Sequence, residues 1–248
     1  MNYAGILAGG KGSRMGVTER PKQFLHMGDD GTPIIVHTLR AFLNCDDIDG
    51  IVIACPQAWL EYTKVLVAEN CTPKEQGRIY VIAGGKERFD SLANICSFIE
   101  GNFGLTDNDI LVSHDAVRPF VTQRILEENI EMAAKYGCVD TVVPSTDTIV
   151  VSYEGRQIDD ISPRSQFYQG QTPQSFRITE YRAAFDALTE EQKATLTDAC
   201  KVYLLNDKPV HLVMGEYCNI KITTPHDLNV GESILAAARQ QKGQSQES

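Results

Sequence analysis

The sequence predicts an α/β domain of three layers, α/β/α, built on a mainly parallel sheet with a protruding β-arm. Three observations lead there. Short β-rich runs alternate with amphipathic stretches of helical length. The segments between successive runs are long enough for parallel crossovers. A chain of 248 residues with 42% hydrophobic composition can bury one substantial core. Residues 1–240 are therefore expected to form one domain, followed by a frayed polar C-terminal tail at 241–248.

The β-rich runs are Tyr3–Leu7, Gly50–Ala54, Arg78–Ala83, Ile110–His114 and Asp140–Val143. Between the first four, Ile34–Phe42, Ala58–Asn70 and Leu92–Ile99 are expected as helices that return the chain to the same sheet and cover it. The alternation then stops. Thr148–Ser152 and Gln157–Ile161 flank Glu154-Gly155-Arg156 in the pattern of a hairpin, so the segment at about 145–170 reads as an arm. Helical character returns at Thr179–Asp186 and Glu190–Val202, His211–Val213 reads as a short strand, and Leu228–Gln241 as a last helix.

The formal charge of −10 argues against broad attraction to nucleic acid or an acidic membrane, while leaving room for a local basic cluster that binds phosphates. No apolar run approaches the roughly 20 residues needed to span a bilayer, and Met1-Asn2-Tyr3 enters a strand-like run with no basic segment before it. The expectation is a cytoplasmic protein. The seven cysteines are odd in number and contain no Cys-x-x-Cys pair, which fits reduced, mostly buried thiols. His26, His37, His114, His211 and His226 have no zinc-type spacing, so any metal is expected to arrive with a substrate.

The strongest local signal is Ala8-Gly9-Gly10-Lys11-Gly12-Ser13-Arg14-Met15-Gly16. It follows the first strand, where unhindered backbone N–H groups at a carboxyl end can cradle phosphate. Two familiar phosphate loops fail on detail. Gly5 to Gly10-Lys11 has Walker A spacing, but Gly12 stands where a Ser or Thr would hold magnesium and Gly5 lies inside the strand. The dinucleotide pattern fails because Met15 occupies the third glycine position. Lys11, Arg14, Arg20 and Lys22 crowd this one segment of an acidic chain, enough charge to neutralise a triphosphate; a turn with solvated charges is the other reading.

Gly10-x-Gly12-x-Arg14-Met15 followed by Pro21-Lys22-Gln23 resembles the signature of the sugar-phosphate cytidylyltransferases, especially the methylerythritol-phosphate and ribitol-phosphate enzymes. The resemblance extends along nearly the whole chain. It includes Gly84-Gly85-x-x-Arg88-x-x-Ser91, His114-Asp115-Ala116-Val117-Arg118-Pro119, Gln171-Thr172-Pro173-Gln174 and Asn219-Ile220-Lys221-x-Thr223. It implies a Rossmann-like nucleotidyltransferase fold, in which a phosphate oxygen of the acceptor attacks the α-phosphorus of CTP and pyrophosphate leaves. That nucleophile is already ionised at neutral pH, so catalysis rests on alignment and charge stabilisation.

The resemblance assigns Arg14 and Lys22 to catalysis, and Leu7, Ala8, Gly9, Gly10, Lys11, Gly12, Gly84, Gly85, Arg88, Ser91 and Asp115 to the nucleotide. It makes Asp115 the magnesium ligand, and Mg2+ prefers hard oxygens and substrate phosphates. Asp115 capping a turn or pairing with Arg118 is the plainer alternative. Gly84, Gly85 and Ser91 match the part of the family site that reads cytosine, though Ser91 also suits a helix N-cap. Lys86 stands where methylerythritol-phosphate enzymes often carry an acidic residue, so that side chain's contacts do not transfer. Arg118, Arg164, Thr172, Thr197 and Lys221 match positions that hold the second substrate. In the family the arm crosses a dimer interface, so a homodimer is expected in which Arg164 reaches the neighbouring site; a solvated surface arginine is the alternative.

Two acceptors fit this chemistry, ribitol 5-phosphate and methylerythritol 4-phosphate. The opening Tyr3–Gly10, Tyr168–Phe176 and Thr197–Lys201 are closer to the ribitol-phosphate branch, whereas the other branch usually has an Ala-Ala-Gly loop and a tryptophan near Tyr168. The expected reaction is therefore CMP transfer to D-ribitol 5-phosphate, giving CDP-ribitol for teichoic acid or a related polymer. The erythritol reaction of isoprenoid synthesis stands second. A non-catalytic nucleotide-binding subunit is the rival of another class, opposed by the retention of Arg14, Lys22 and Asp115.

Overall fold

The computed structural model describes residues 1–10 and 20–246, with the backbone alone at 241–246. The chain opens with β1 (Asn2–Leu7), the small hairpin of β2 (His26–Met27) and β3 (Thr32–Pro33), and α1 (Ile34–Leu43). Then follow β4 (Gly50–Cys55), α2 (Leu60–Asn70), the single turn α3 (Pro73–Gln76), β5 (Ile79–Ala83), α4 (Arg88–Phe103) and β6 (Ile110–Asp115). Helix α5 (Gln123–Tyr136) leads into β7 (Cys138–Pro144). Beyond the arm lie β8 (Tyr168–Arg177), α6 (Ile178–Asp186), α7 (Glu190–Ala194), α8 (Cys200–Leu204), β9 (His211–Met214) and α9 (Pro225–Gln246).

Among the described residues seven strands form one sheet in the order β5-β4-β1-β6-β8-β7-β9, and of these only β8 runs against its neighbours. Strand alternation divides the core between the two faces. Ala4 and Ile6 point to the side packed by Leu39, Phe42 and Leu126, whereas Tyr3 points to the side packed by Ile95, Ile99, Tyr181 and Tyr203. Gly5 serves this packing. A Cβ there would stand 3.2 Å from Leu111 and 3.3 Å from Ile95, so the glycine lets α4 lie close on β1 and has no part in a phosphate loop.

The chain builds outward from β1 through β4 to β5, then jumps to β6 on the other flank of β1. Loops diverge at such a reversal and leave a crevice at the carboxyl ends of the strands, where ligands of open α/β sheets bind.

Four regions differ from the sequence reading. β8 is a full strand where the sequence shows only a motif, because Pro173 argues against a central strand. The resolution is a bulge. Asp140 pairs with Gln174 and Val142 with Gly170, so Gln171, Thr172 and Pro173 all face the single residue Thr141, and Pro173 sits where no ladder N–H is required. The Thr172–Pro173 peptide is cis. The helix expected at Glu190–Val202 is broken into α7 and α8, releasing Leu196–Asp198 as a loop. The arm is held by one bridge, Val151 to Asp160, instead of a ladder, and it exposes Tyr153, Ile158 and Ile161. The segment expected as a frayed tail is helical as far as Gln246. Among the described residues no helix is long and apolar enough to cross a membrane.

Candidate active site

The carboxyl ends of β1, β5 and β6 open onto a crevice of about 440 Å³, within the range of small-molecule sites. Its floor is the turn after β1. The Ala8 N–H donates to the Ala54 carbonyl at 2.8 Å and the Ala116 N–H to the Leu7 carbonyl at 3.0 Å, so Leu7 and Ala8 are fixed before the chain emerges at the exposed Gly9 and Gly10. Lys11, Gly12 and Arg14 lie outside the described residues.

From Arg20 onward the chain is anchored to the domain beneath the crevice. Arg20 donates to the Tyr62 hydroxyl at 3.3 Å, and its guanidinium lies 5.7 Å from that ring's centroid. Phe24 is buried against Trp59 and Tyr62. Gln23 is buried and donates through Nε2 to the Ala8 carbonyl at 2.5 Å. Between these anchors Lys22 lines the crevice, its Cε 3.5 Å from the point a Cβ on Gly10 would occupy.

The wall opposite is the turn from β5 into α4. A Cβ on Gly85 would lie 2.0 Å from the Asp90 Cβ, so only glycine lets the helix start pack there, while a Cβ on Gly84 would lie 3.0 Å from Ser91 Oγ and press on that hydroxyl. Ser91 is not the N-cap. Glu87 holds that place in a capping box with Asp90, while the Ser91 hydroxyl accepts the Gly85 N–H at 3.0 Å and donates to the Glu87 carbonyl at 3.2 Å. Ser91 therefore joins the helix to the glycine turn, on the lining of the crevice.

Asp115 ends β6 and gathers the positive charge. Its Oδ1 accepts from Arg88 at 2.7 Å, its Oδ2 pairs with Lys221 at 2.7 Å, and Arg118 Nε stands 3.8 Å from Oδ2. Burial by itself would raise its pKa. Arg88, then Lys221 and Arg118, outweigh that and hold the carboxyl well below the usual carboxylate range. The alternatives of a carboxylate paired with Arg118 and a metal ligand facing the crevice are thus compatible. Each oxygen keeps lone-pair capacity beyond its one short contact, and a single ionised carboxylate on the lining of the crevice is the kind of hard oxygen donor that suits magnesium.

Beneath it lies a buried relay. His114 has its pKa pushed down to about 4, chiefly by burial, and so is neutral. Its Nε2 lies 2.9 Å from the Arg118 carbonyl and must donate there, which leaves Nδ1 to accept from the Thr172 hydroxyl at 3.0 Å. That hydroxyl in turn accepts the Asp115 N–H at 3.1 Å. Thr172 is 4% exposed, so this chain holds Thr172 beneath Asp115 with its hydroxyl committed at both ends.

The other residues expected to hold the second substrate are spread out. Arg118 is largely buried and donates to the Asn219 carbonyl at 2.8 Å. Lys221 lines the crevice. Thr197 lines a smaller recess of about 130 Å³ behind Arg88. Arg164 is exposed beside the arm, donating to the Thr146 carbonyl at 2.9 Å, and is not among the residues lining the crevice of its own subunit. Sequence reasoning misses Gln23, Asp140, Gln174 and Asn219. Three of these sit inside motifs already singled out, which is the available signal. Asp140 has no motif around it, and only the pairing of β7 with β8 brings it into the network.

A family model described as 2-C-methyl-D-erythritol 4-phosphate cytidylyltransferase matches residues 3–237. Similar solved structures include 4-diphosphocytidyl-2C-methyl-D-erythritol synthase from Anaerococcus prevotii, 25% identical with a TM-score of 0.76 over 95% of this chain and 96% of that one. The 2-C-methyl-D-erythritol 4-phosphate cytidylyltransferase of Thermus thermophilus is 26% identical, TM-score 0.70, over 94% of this chain and 98% of that one. The Francisella tularensis enzyme is 25% identical, TM-score 0.72, over 92% and 97%.

These comparisons correct the expected acceptor. Ribitol 5-phosphate, CDP-ribitol and the teichoic-acid setting rested on segments whose residues largely pack the molecule. Tyr3 and Ala4 are core, Phe176 stacks on Tyr181, and Ala199 and Cys200 are buried, so resemblance there reports packing more than acceptor contact. The matched family and the solved relatives carry the erythritol acceptor instead. The non-catalytic reading gives way as well. The chain is a CTP-dependent nucleotidyltransferase that acts on a sugar phosphate, and it belongs to the 2-C-methyl-D-erythritol 4-phosphate cytidylyltransferase family.

Proposed function

We propose that this chain transfers CMP from CTP to 2-C-methyl-D-erythritol 4-phosphate, releasing pyrophosphate, and that it does so as a cytoplasmic homodimer dependent on magnesium. The observation that carries the reading is the crevice where Lys22, Arg88 and Lys221 face the ionised Asp115 at the reversal point of the sheet. A phosphate oxygen of the acceptor forms a bond to the α-phosphorus of CTP as the bond from that phosphorus to the bridging oxygen of the β-phosphoryl group breaks. Charge accumulates on the α-phosphoryl oxygens and on the departing pyrophosphate. Lys22 and Arg14 are the residues assigned to stabilise it, with Leu7, Ala8, Gly9, Gly10, Lys11 and Gly12 cradling the triphosphate.

Gly84, Gly85 and Ser91 present a fixed rim suited to the base. The acceptor phosphate is assigned to Arg118 and Lys221, with Thr172 set beneath Asp115 and Thr197 assigned to the acceptor from the neighbouring recess behind Arg88. Magnesium, when bound, supplies charge neutralisation at the phosphates, and Asp115 would hold it. The exposed apolar residues of the arm, and an exposed Arg164 that does not line its own crevice, support a dimer in which Arg164 serves the neighbour. The chain at about 145–170 is then a dimerisation arm on a single domain of residues 1–240.

The test is pyrophosphate release by the purified protein with CTP, magnesium and a panel of polyol phosphates. Release with methylerythritol 4-phosphate well above the other acceptors is expected. Turnover confined to a different polyol phosphate would overturn the acceptor assignment, and none with any acceptor would overturn the reaction.

A further inference from the structure

One buried side chain joins the crevice to the smaller recess behind Arg88. Gln174, on β8, is 3% exposed and uses both ends of its carboxamide. Its Oε1 accepts from Arg88 at 3.3 Å and from the Ala199 N–H at 3.2 Å, and its Nε2 donates to Asp140 Oδ1 at 3.1 Å. Arg88 continues to Asp115 at 2.7 Å, while Ala199 closes the loop that bears Thr197. Asp140 and Gln174 are register partners across β7 and β8, immediately beside the bulge that carries Thr172.

We propose that Asp140 and Gln174 form a positioning dyad that orients Arg88, and through it Asp115, for nucleotide binding while tying the Thr197 loop to the same frame. The physical reason is polarity. Arg88 and the Ala199 N–H can only donate, so the carboxamide oxygen must face them, and its NH2 must then find an acceptor on the other side. Asp140 is that acceptor. An ionised carboxylate there excludes the flipped amide, which would set two donors against Nε2 and an oxygen against a carboxylate.

The charge is costly to keep. Burial, followed by the neighbouring Asp198, pushes the Asp140 pKa up to about 6, against the Gln174 hydrogen bond and Arg88, which pull it down. The other titratable groups facing it are Arg118 and the Cys200 thiol. A carboxylate retained at that cost in a neutral-pH network fits a residue kept for orientation.

The dyad rests on the assignment of the crevice to CTP, and the test separates the two. CTP is titrated calorimetrically, with magnesium at pH 8, into the wild type, Gln174→Glu, the swap Asp140→Asn/Gln174→Glu, and Gln174→Met; no acceptor is needed. Gln174→Glu opposes two carboxylates about one hydrogen bond apart and is expected to weaken CTP binding on the order of 10-fold, with partial recovery at pH 6, where a shared proton restores the donor. In the swap, the carboxamide introduced at position 140 can donate to the carboxylate introduced at position 174, which still accepts from Arg88 and the Ala199 N–H. Affinity is then expected within about threefold of wild type. Gln174→Met keeps the volume without either hydrogen bond and should lose about 10-fold at both pH values. A swap no better than Gln174→Glu alone overturns the dyad. So does wild-type affinity in Gln174→Met, which decides the matter even where Gln174→Glu fails to fold. Wild-type protein that binds no CTP refutes the crevice assignment, and the dyad's purpose with it.

Discussion

At the scale of single residues, three cations share one carboxylate. Asp115 takes contacts from Arg88, Lys221 and Arg118 while burial works against its charge, so it is ionised because its neighbours outweigh its surroundings. Asp140 is the opposite case, a buried carboxylate that is raised to about 6 from the ordinary 3.8. Its linkage to stability has a definite sign. A raised folded pKa favours the protonated form, so that stability is full below 3.8 and is lost as pH rises through about 6. Asp140→Asn removes the penalty, and the variant is expected to be more stable than wild type at pH 8 by on the order of 1–2 kcal/mol, roughly 2–8 °C in Tm. The difference should vanish near pH 4. Paired melting curves check this, and taking the difference cancels His114, which shifts the opposite way and costs stability as pH falls from 6.5 toward 4. A variant less stable than wild type at pH 8 would show that the carboxylate is a net structural gain.

At the scale of elements, the turn from β5 into α4 ties shape to chemistry. Gly85 has no room for a Cβ because the Asp90 Cβ and backbone occupy the space, and Asp90 is also the residue that completes the capping box on Glu87. Gly85→Ala therefore has to displace the first turn of α4, with Arg88 and Ser91 on it. The expected cost is about 1–3 kcal/mol of stability, together with a fall in CTP affinity larger than that of an equally destabilising core variant such as Ile99→Val; calorimetry alongside thermal melting tests it. Equal losses in the two would reduce the turn to a packing feature. Much of this element was legible, since Gly84-Gly85-x-x-Arg88-x-x-Ser91 stood out as a unit. The cap was not: Ser, a favoured capping residue, hid Glu87, and only the backbone hydrogen bonds identify which residue begins the helix.

At the scale of the whole molecule, no described residue of the arm lines the crevice of its own subunit, and the proposed dimer is what would bring Arg164 to a neighbour's site. Lys22→Ala alone is expected to lower turnover by on the order of 10²-fold or more while leaving the fold intact. Mixing Lys22→Ala subunits with Arg164→Ala subunits should then restore part of the activity, because one of the two sites in a heterodimer regains both residues. No recovery in verified heterodimers would confine Arg164 to its own subunit.

The sequence by itself determined the layered α/β frame, the turn after β1, and the basic and acidic residues that chemistry at phosphates requires. These are local properties, carried by the period of apolar residues and by short motifs whose members are neighbours in the chain. It did not determine that β8 is a central strand, because a proline at its midpoint contradicts that reading until the bulge opposite Thr141 is seen. Nor did it reveal Asp140, which has no motif around it and enters the site only through strand pairing. The acceptor was misread for a related reason: Tyr3 and Phe176 lie in the segments that resemble the ribitol-phosphate branch, yet both are buried in the core. Tertiary structure alone decides which side chains converge, because convergence depends on register and crossover between segments far apart in the chain.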